Sequence, residues 1–95
     1  MVTHVVLMRF RNRDLDVARE VRRRLLAMQE KIPVLRALEV GIDVIRSDRA
    51  YDLALIARFD TIDDLHAYAE HPAHMEVLSY IRQVQDHIVS VDYVS

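Results

Sequence analysis

Residues 69–75 read AEHPAHM and place His71 and His74 on either side of a Pro-Ala pair. An imidazole titrates near physiological pH, so a histidine at this point could transfer a proton. The spacing would also suit two ligands of a metal ion, but a metal needs three or four, and no Asp or Glu lies at a convincing partner position. A cap on the amides of the next helix is the structural alternative for His71, because Pro72 favours a first helical turn. We therefore expect no metal site.

Tyr68 and His4 are further polar side chains in otherwise apolar patterns. Tyr68 flanks the apolar stripe of a predicted helix. Its hydroxyl could donate a hydrogen bond to a developing enolate oxygen, or its ring could pack at the edge of the core. His4 stands in an apolar row of a predicted strand, so it needs a hydrogen-bond partner or a pocket. We interpret His4 as a residue that lines a pocket.

The hydrophobic periodicity predicts strand, helix, strand, strand, helix, strand. The break at Pro72 divides the second helical region into two helices. The predicted strands are residues 2–11, 37–45, 51–59 and 86–94, and the predicted helices are residues 14–31, 61–71 and 72–85. This order is that of the ferredoxin-like βαββαβ plan, an α+β fold with an antiparallel sheet.

The first and third predicted strands carry apolar residues on both faces. Val5 and Leu7 oppose the larger apolar set of the first strand, and Ala54 and Ile56 do so in the third. The helices can cover only one face of the sheet, so the other would be an exposed apolar patch. This pattern predicts a homodimer in which two sheets pack face to face.

The length and composition exclude several classes of protein. Ninety-five residues are expected to form one domain over residues 1–95. The net charge of −2 offers no basic surface for nucleic acid, and the absence of cysteine excludes disulfides and thiol catalysis. No apolar run is long enough to span a membrane and the start lacks the features of a signal peptide, so we expect a soluble, cytoplasmic protein.

Several segments spread along the chain resemble the stress-responsive A/B-barrel domain family, also called Dabb. They are His4-Val-Val-Leu, Ile32-Pro33, Gly41, Tyr51-Asp-Leu-Ala-Leu, Tyr68 with His71-Pro-Ala-His74, and Val91-Asp92-Tyr93. The resemblance covers about nine-tenths of the chain. It implies a dimeric ferredoxin-like α/β barrel, in agreement with the predicted elements.

The resemblance also implies roles for individual residues. A plant member of the family is a polyketide cyclase that closes a ring by aldol condensation without a cofactor. By position, His74 and Tyr68 correspond to its catalytic histidine and tyrosine, and Asp92 to the aspartate that hydrogen-bonds the histidine. Alternation alone would point the neighbouring valines of the last strand inward, whereas the resemblance places Asp92 inward. The implied substrate-binding positions are His4, Val6, Met8, Leu25, Leu53 and Leu55, with leucines at 25 and 53 where the cyclase has polar residues.

The resemblance therefore implies a small-molecule-binding protein, and its acid–base residues indicate a cofactor-free cyclase or isomerase that acts on a hydrophobic carbonyl compound. In this hypothesis His74 is the base, Tyr68 donates to the oxyanion, and Asp92 orients His74 and raises its basicity. A structural hydrogen bond between His74 and Asp92 in a non-catalytic stress-responsive protein is equally compatible with the sequence. A cofactor-free monooxygenase is a further alternative, by analogy of fold. An open cavity beside His74 favours the enzyme.

Overall fold

The computed structural model describes residues 1–95 as one four-stranded sheet and three helices. The strands are β1 (Val2–Phe10), β2 (Ala37–Ile42), β3 (Leu53–Phe59) and β4 (Gln85–Val94), and the helices are α1 (Leu15–Ala27), α2 (Ile62–Glu70) and α3 (Pro72–Val84). The strand order is β2-β3-β1-β4, and all three pairings are antiparallel. The predicted ferredoxin-like α+β fold is confirmed.

The helices cover one face of the sheet and enclose the core against it. Alternate residues of β1 and β3 point to this face, because successive side chains of a strand point to opposite sides. The apolar stripe of α1 packs on the same layer with spacings of three and four residues. The buried side chains that form the centre of the core are Val6, Met8, Phe10, Ala18, Val21, Leu25, Leu53, Leu55, Ala57 and Phe59.

The junction between α2 and α3 fixes the start of α3. His71 precedes Pro72 and has an extended backbone, which the proline ring favours. The Nδ1 atom of His71 accepts a hydrogen bond from the Ala73 amide at 3.0 Å, so His71 caps α3. The cap and Pro72 consequently hold His74 in the first turn of α3.

No group of three or more His, Cys, Asp or Glu side chains is arranged to hold a metal ion.

The link between β2 and β3 is longer than predicted, because the strands end at Ile42 and begin again at Leu53. Asp52, predicted to lie within the third strand, is completely buried just before it. Its carboxylate accepts a hydrogen bond from the Phe10 amide at 2.8 Å and from Arg46 at 2.9 Å. These bonds, together with the bond from the Asp52 amide to the Met8 carbonyl, tie the link to the end of β1.

The second face of the sheet is open. Leu7, Val89, Val91 and Tyr93 point to it and are 37–56% exposed. Val89 pairs with Leu7 and Val91 with Val5 across β1 and β4, which makes the apolar surface continuous.

None of the three helices is both long and apolar enough to cross a membrane.

Candidate active site

A cavity of about 210 Å³ lies between the sheet and the helices, mainly α3. Its wall takes residues from three strands and three helices. The lining residues are His4, Val6 and Met8 of β1, Leu55 of β3, Ile88 and Ser90 of β4, Leu25 of α1, Tyr68 of α2, and His74, Val77, Leu78 and Ile81 of α3. The cavity is therefore a largely apolar space in which His4, Tyr68 and His74 share one wall region.

His4 and Asp92 are direct cross-strand partners in the pairing of β1 with β4. Residues opposite each other in an antiparallel pair point to the same face, so Asp92 lies on the helix-covered face, as the family resemblance implied. The His4 Nδ1 atom hydrogen-bonds the Asp92 carboxylate. Because a carboxylate only accepts, Nδ1 carries the proton and Nε2 is the free ring nitrogen.

The predicted hydrogen bond between His74 and Asp92 is wrong. The His74 Nδ1 atom lies 3.0 Å from the Ala69 carbonyl, to which it donates a hydrogen bond. Ala69 is in the last turn of α2, where carbonyls lack a partner within the helix. His74, just after the junction, donates a hydrogen bond to that carbonyl. Asp92 instead accepts its hydrogen bond from His4, its cross-strand partner. Each histidine thus has its own partner, and each has Nε2 left over.

The environment of His74 favours the neutral imidazole. Burial lowers the pKa of His74, and the hydrogen bond to the Ala69 carbonyl partly offsets this effect. The positive charge of Arg82 lowers the pKa of His74 further, as a proton on the neighbouring His4 or His71 would. The expected increase in the basicity of His74 by Asp92 is therefore not found, because Asp92 binds the other histidine. Near pH 7, His74 presents an unprotonated Nε2.

The Tyr68 ring packs against the rings of both His4 and His74. Tyr68 is 2% exposed. The centroid of its ring lies 4.5 Å from that of His74 and 5.0 Å from that of Phe59. The His4 ring lies edge-on to it, with the centroids 6.2 Å apart. The Tyr68 hydroxyl makes no hydrogen bond within the chain. It is not fully enclosed by protein atoms, and Tyr68 lines the cavity. Burial raises the pKa of the Tyr68 phenol, which keeps the hydroxyl protonated as a donor.

The other predicted site residues divide into two groups. Val6, Met8, Leu25 and Leu55 lie on the cavity wall, whereas Leu53 is buried in the core beside Met8 and does not reach the cavity. Asp92 is 44% exposed at its side chain and borders a neighbouring surface cleft rather than the cavity.

Ile88 and Ser90 of β4 also line the cavity and were not among the predicted site residues. The signal was available, because both alternate with Asp92 and must share its face of the strand. Val77 and Ile81 of α3 were also missed, although they follow His74 at helical spacing, as Leu78 does. Once His74 faces the cavity, positions three, four and seven residues later face it as well.

Solved structures with the same fold include close matches over the whole chain. A dimeric protein with a ferredoxin-like fold from Bacteroides fragilis is 29% identical, with a TM-score of 0.88 over 99% of this chain and 95% of that one. A dimeric ferredoxin-like protein from Thermobifida fusca is 27% identical, with a TM-score of 0.88 over 99% and 90%. A hydroxynitrile lyase from Passiflora edulis shares the fold at 16% identity, with a TM-score of 0.84 over 99% and 92%.

Among curated protein sequences, none matches this chain. The family model of the stress responsive A/B barrel domain, in contrast, matches residues 2–95, which is nearly the entire chain. The match includes every strand, every helix and all residues of the cavity wall. The predicted family is thereby confirmed: the chain belongs to the stress-responsive A/B barrel (Dabb) domain family.

Proposed function

We propose that this protein is a cofactor-free acid–base catalyst that moves a proton next to the carbonyl group of a small hydrophobic compound, as an isomerase or cyclase does. The observation that carries the proposal is the convergence of His4, Tyr68 and His74 on a cavity whose other walls are almost entirely apolar. An apolar pocket with a few polar groups at one place is the usual form of a small-molecule site. Met8, Leu25 and Leu78 line this space without filling it.

His74 is the base in this proposal. Its Nδ1–H is held by the Ala69 carbonyl, so the ring orientation and tautomer are fixed. Its Nε2 has a free electron pair, because burial keeps the imidazole neutral. The C–H bond beside the carbonyl breaks, the proton goes to His74 Nε2, and the electron pair forms the carbon–carbon double bond of an enolate.

Tyr68 stabilises the enolate oxygen. The hydroxyl is protonated and has no partner within the chain, so it is available to donate one hydrogen bond to the substrate. Its ring is fixed by contacts with Phe59 and His74, which places the donor next to the base. A donor held in place by packing needs no reorganisation when the negative charge develops.

His74 itself returns the proton to carbon, which restores its neutral imidazole, and the pair of His4 and Asp92 allows that proton to exchange with solvent. His4 borders the cavity with its free nitrogen available, while Asp92 fixes the ring from behind and is itself accessible to solvent. The hydrogen bond between His4 and Asp92 therefore gives a proton a route between the cavity and the solvent. Asp92 is a positioning residue here, but for His4 instead of His74.

The experiment is deuterium exchange at the α-carbon of a small ketone in D₂O, followed by NMR. We expect exchange above the buffer rate with the native protein and a loss of about 100-fold or more in His74→Ala. His66→Ala is the matched control, because His66 is exposed on α2 and does not line the cavity. Exchange that is unchanged in both His74→Ala and Tyr68→Phe would refute the proposal.

We also propose that two copies pack through their open sheet faces. Support comes from the continuous apolar surface around Leu7, Val89 and Val91. The Bacteroides fragilis and Thermobifida fusca proteins, which have the same fold, are described as dimeric. A monomer would leave this surface in contact with water.

A further inference from the structure

We infer that the cavity takes neutral carbonyl compounds of about eight to ten non-hydrogen atoms, with the carbonyl at the His74 end and an apolar ring or chain pointing toward Ile81. The position of the carbonyl rests on the proposed function. The limits on charge, size and direction come from the cavity wall itself.

The direction follows from the order of residues along the wall. On β1, His4, Val6 and Met8 follow one another on the same face, and β4 runs antiparallel with Ser90 and Ile88 beside them. The partner of Val6 is Ser90, and the partner of Met8 is Ile88. A strand rises about 3.3 Å per residue, so the wall changes from polar to apolar over about 13 Å.

The helix side repeats this gradient. His74, in the first turn of α3, faces the polar end, and Ile81 lies two turns further along the same wall. Seven residues of α-helix rise about 10 Å, which agrees with the length of the gradient on β1. A ligand is therefore polar at one end and apolar at the other.

The ligand is neutral because no Lys, Arg, Asp or Glu lines the cavity. The charge of a carboxylate or phosphate would lose its hydration without gaining an ion-pair partner. His4 does not supply that partner, since Asp92 already occupies its Nδ1–H. The site thus accepts a ketone or aldehyde oxygen and disfavours the corresponding acid.

The volume sets the size. A dry cavity of about 150 Å³ holds one benzene molecule in a well-studied case. At about 210 Å³, this cavity has room for one six-membered ring with a short substituent, or an open chain of comparable volume. A fused bicyclic ketone such as 2-acetonaphthone, with about 13 non-hydrogen atoms, exceeds that volume.

The cavity opens at the sheet edge formed by β4. Ser90 on this strand is exposed although it lines the cavity, and Leu78 opposite on α3 is half-buried. Deeper in the wall, Val77 and Ile81 are 8% and 2% exposed. A large side chain at position 90 would therefore narrow the entrance without replacing a core residue.

Binding is measured by isothermal titration calorimetry and by NMR chemical-shift changes with three probes: propiophenone, benzoate and 2-acetonaphthone. They represent a neutral ligand of the predicted size, an acid of similar size and a bicyclic ketone. We expect propiophenone to bind with a Kd at least about tenfold lower than either of the others. Benzoate or 2-acetonaphthone binding as tightly as propiophenone would overturn the inference, as would no binding of propiophenone.

Substitutions at positions 90 and 79 locate the binding. Ser90→Phe is expected to raise the Kd for propiophenone at least about tenfold, whereas Ser79→Phe, on an exposed position of α3 outside the cavity wall, leaves it unchanged. Ser90→Leu gives the same test with a smaller side chain if the phenylalanine variant does not fold. Equal affinity in all folded variants would show that the ligand binds elsewhere and would refute the inference.

The outcome is separable from that of the proposed catalysis. Propiophenone that binds with the expected selectivity but shows no α-proton exchange supports the ligand class and refutes the catalyst. Exchange that is faster with 2-acetonaphthone than with propiophenone supports the catalyst and refutes the ligand class.

Discussion

The His4 imidazole and the Asp92 carboxylate face each other across β1 and β4 and are joined by a hydrogen bond. The two residues are 88 positions apart in the chain, and the pairing of the first and last strands brings them together. The Asp92 side chain is 44% exposed and borders a surface cleft outside the cavity. This arrangement gives the cavity one histidine that is fixed by a carboxylate, in addition to His74, which is fixed by a carbonyl.

Replacing Asp92 with Asn is expected to lower the rate of α-proton exchange at least about tenfold, because His4 loses the carboxylate that orients it. The free energy of unfolding should change by less than about 1 kcal/mol, since Asp92 is 44% exposed. NMR exchange rates and urea denaturation measure the two effects. Asp86→Asn, at an exposed position of the same strand, is the control and should change neither. An unaltered exchange rate in Asp92→Asn would remove Asp92 from the mechanism.

Removing only the hydroxyl of Tyr68 separates catalysis from packing. Tyr68→Phe keeps the buried ring, so stability should change by less than about 1 kcal/mol, while exchange falls about 100-fold through loss of the oxyanion donor. Tyr68→Ala removes the ring as well and should cost about 3–5 kcal/mol in the free energy of unfolding. The control is Tyr80→Phe, whose ring contacts Arg24 outside the site. Equal exchange rates for Tyr68→Phe and the native protein would contradict the role of the hydroxyl.

The stability of the protein should depend on pH through His74. Burial lowers the pKa of His74 in the folded state. Below about pH 6.5 the unfolded chain therefore binds a proton at His74 more readily than the folded chain does. The contribution of His74 to stability is thus complete above pH 6.5 and is lost as the pH falls through the lower folded-state pKa. Urea unfolding at pH 7.5 and pH 5.5 should show a smaller pH-dependent loss in His74→Gln than in the native protein. His66→Gln serves as the exposed control, and a native-like pH dependence in His74→Gln would be inconsistent with a neutral, buried His74.

The open sheet face predicts the oligomeric state. Analytical ultracentrifugation at micromolar concentration should give twice the chain mass of 11.1 kDa. Leu7→Asp should dissociate or unfold the protein, because an unpaired charge buried between two sheets costs several kcal/mol. Ile62→Asp places the same charge on α2, at an exposed position off this face, and should leave the dimer intact. A stable 11 kDa monomer of the native chain would exclude the dimer.

Asp52 is predicted to be the most sensitive carboxylate in the chain. It is completely buried and accepts hydrogen bonds from the Phe10 amide and from Arg46 and Arg13. Asp52→Ala strands the amide and both arginines, and we expect a loss of about 2–3 kcal/mol by urea denaturation, since the arginines remain partly hydrated. Asp48→Ala, in the exposed part of the same link, should cost less than about 0.5 kcal/mol. Similar losses in the two variants would contradict the anchoring role of Asp52.

The sequence by itself determined the order of the elements and most of their boundaries. Alternation in β1 and β3 and the three- and four-residue spacing in α1 are local patterns, because each reflects which side of one element is buried. The break before α3 is also local, since Pro72 restricts the backbone of His71 and lacks an amide hydrogen of its own. The two-sided apolar pattern of β1 likewise follows from its own residues.

The tertiary structure decided the partners and the empty space. Whether Asp92 binds His74 or His4 depends on the register of β1 with β4, and Ala69 competes for His74 across a helix junction that the pattern does not describe. The burial of Asp52 depends on Phe10 and Arg46 from other parts of the chain, so alternation within β3 does not describe it. The cavity depends on how far α3 stands from the sheet, which is a sum of many contacts and not a property of any one segment. Hydrogen-bond partners and cavities are set by distances between elements, whereas periodicity records only the direction in which each element is buried.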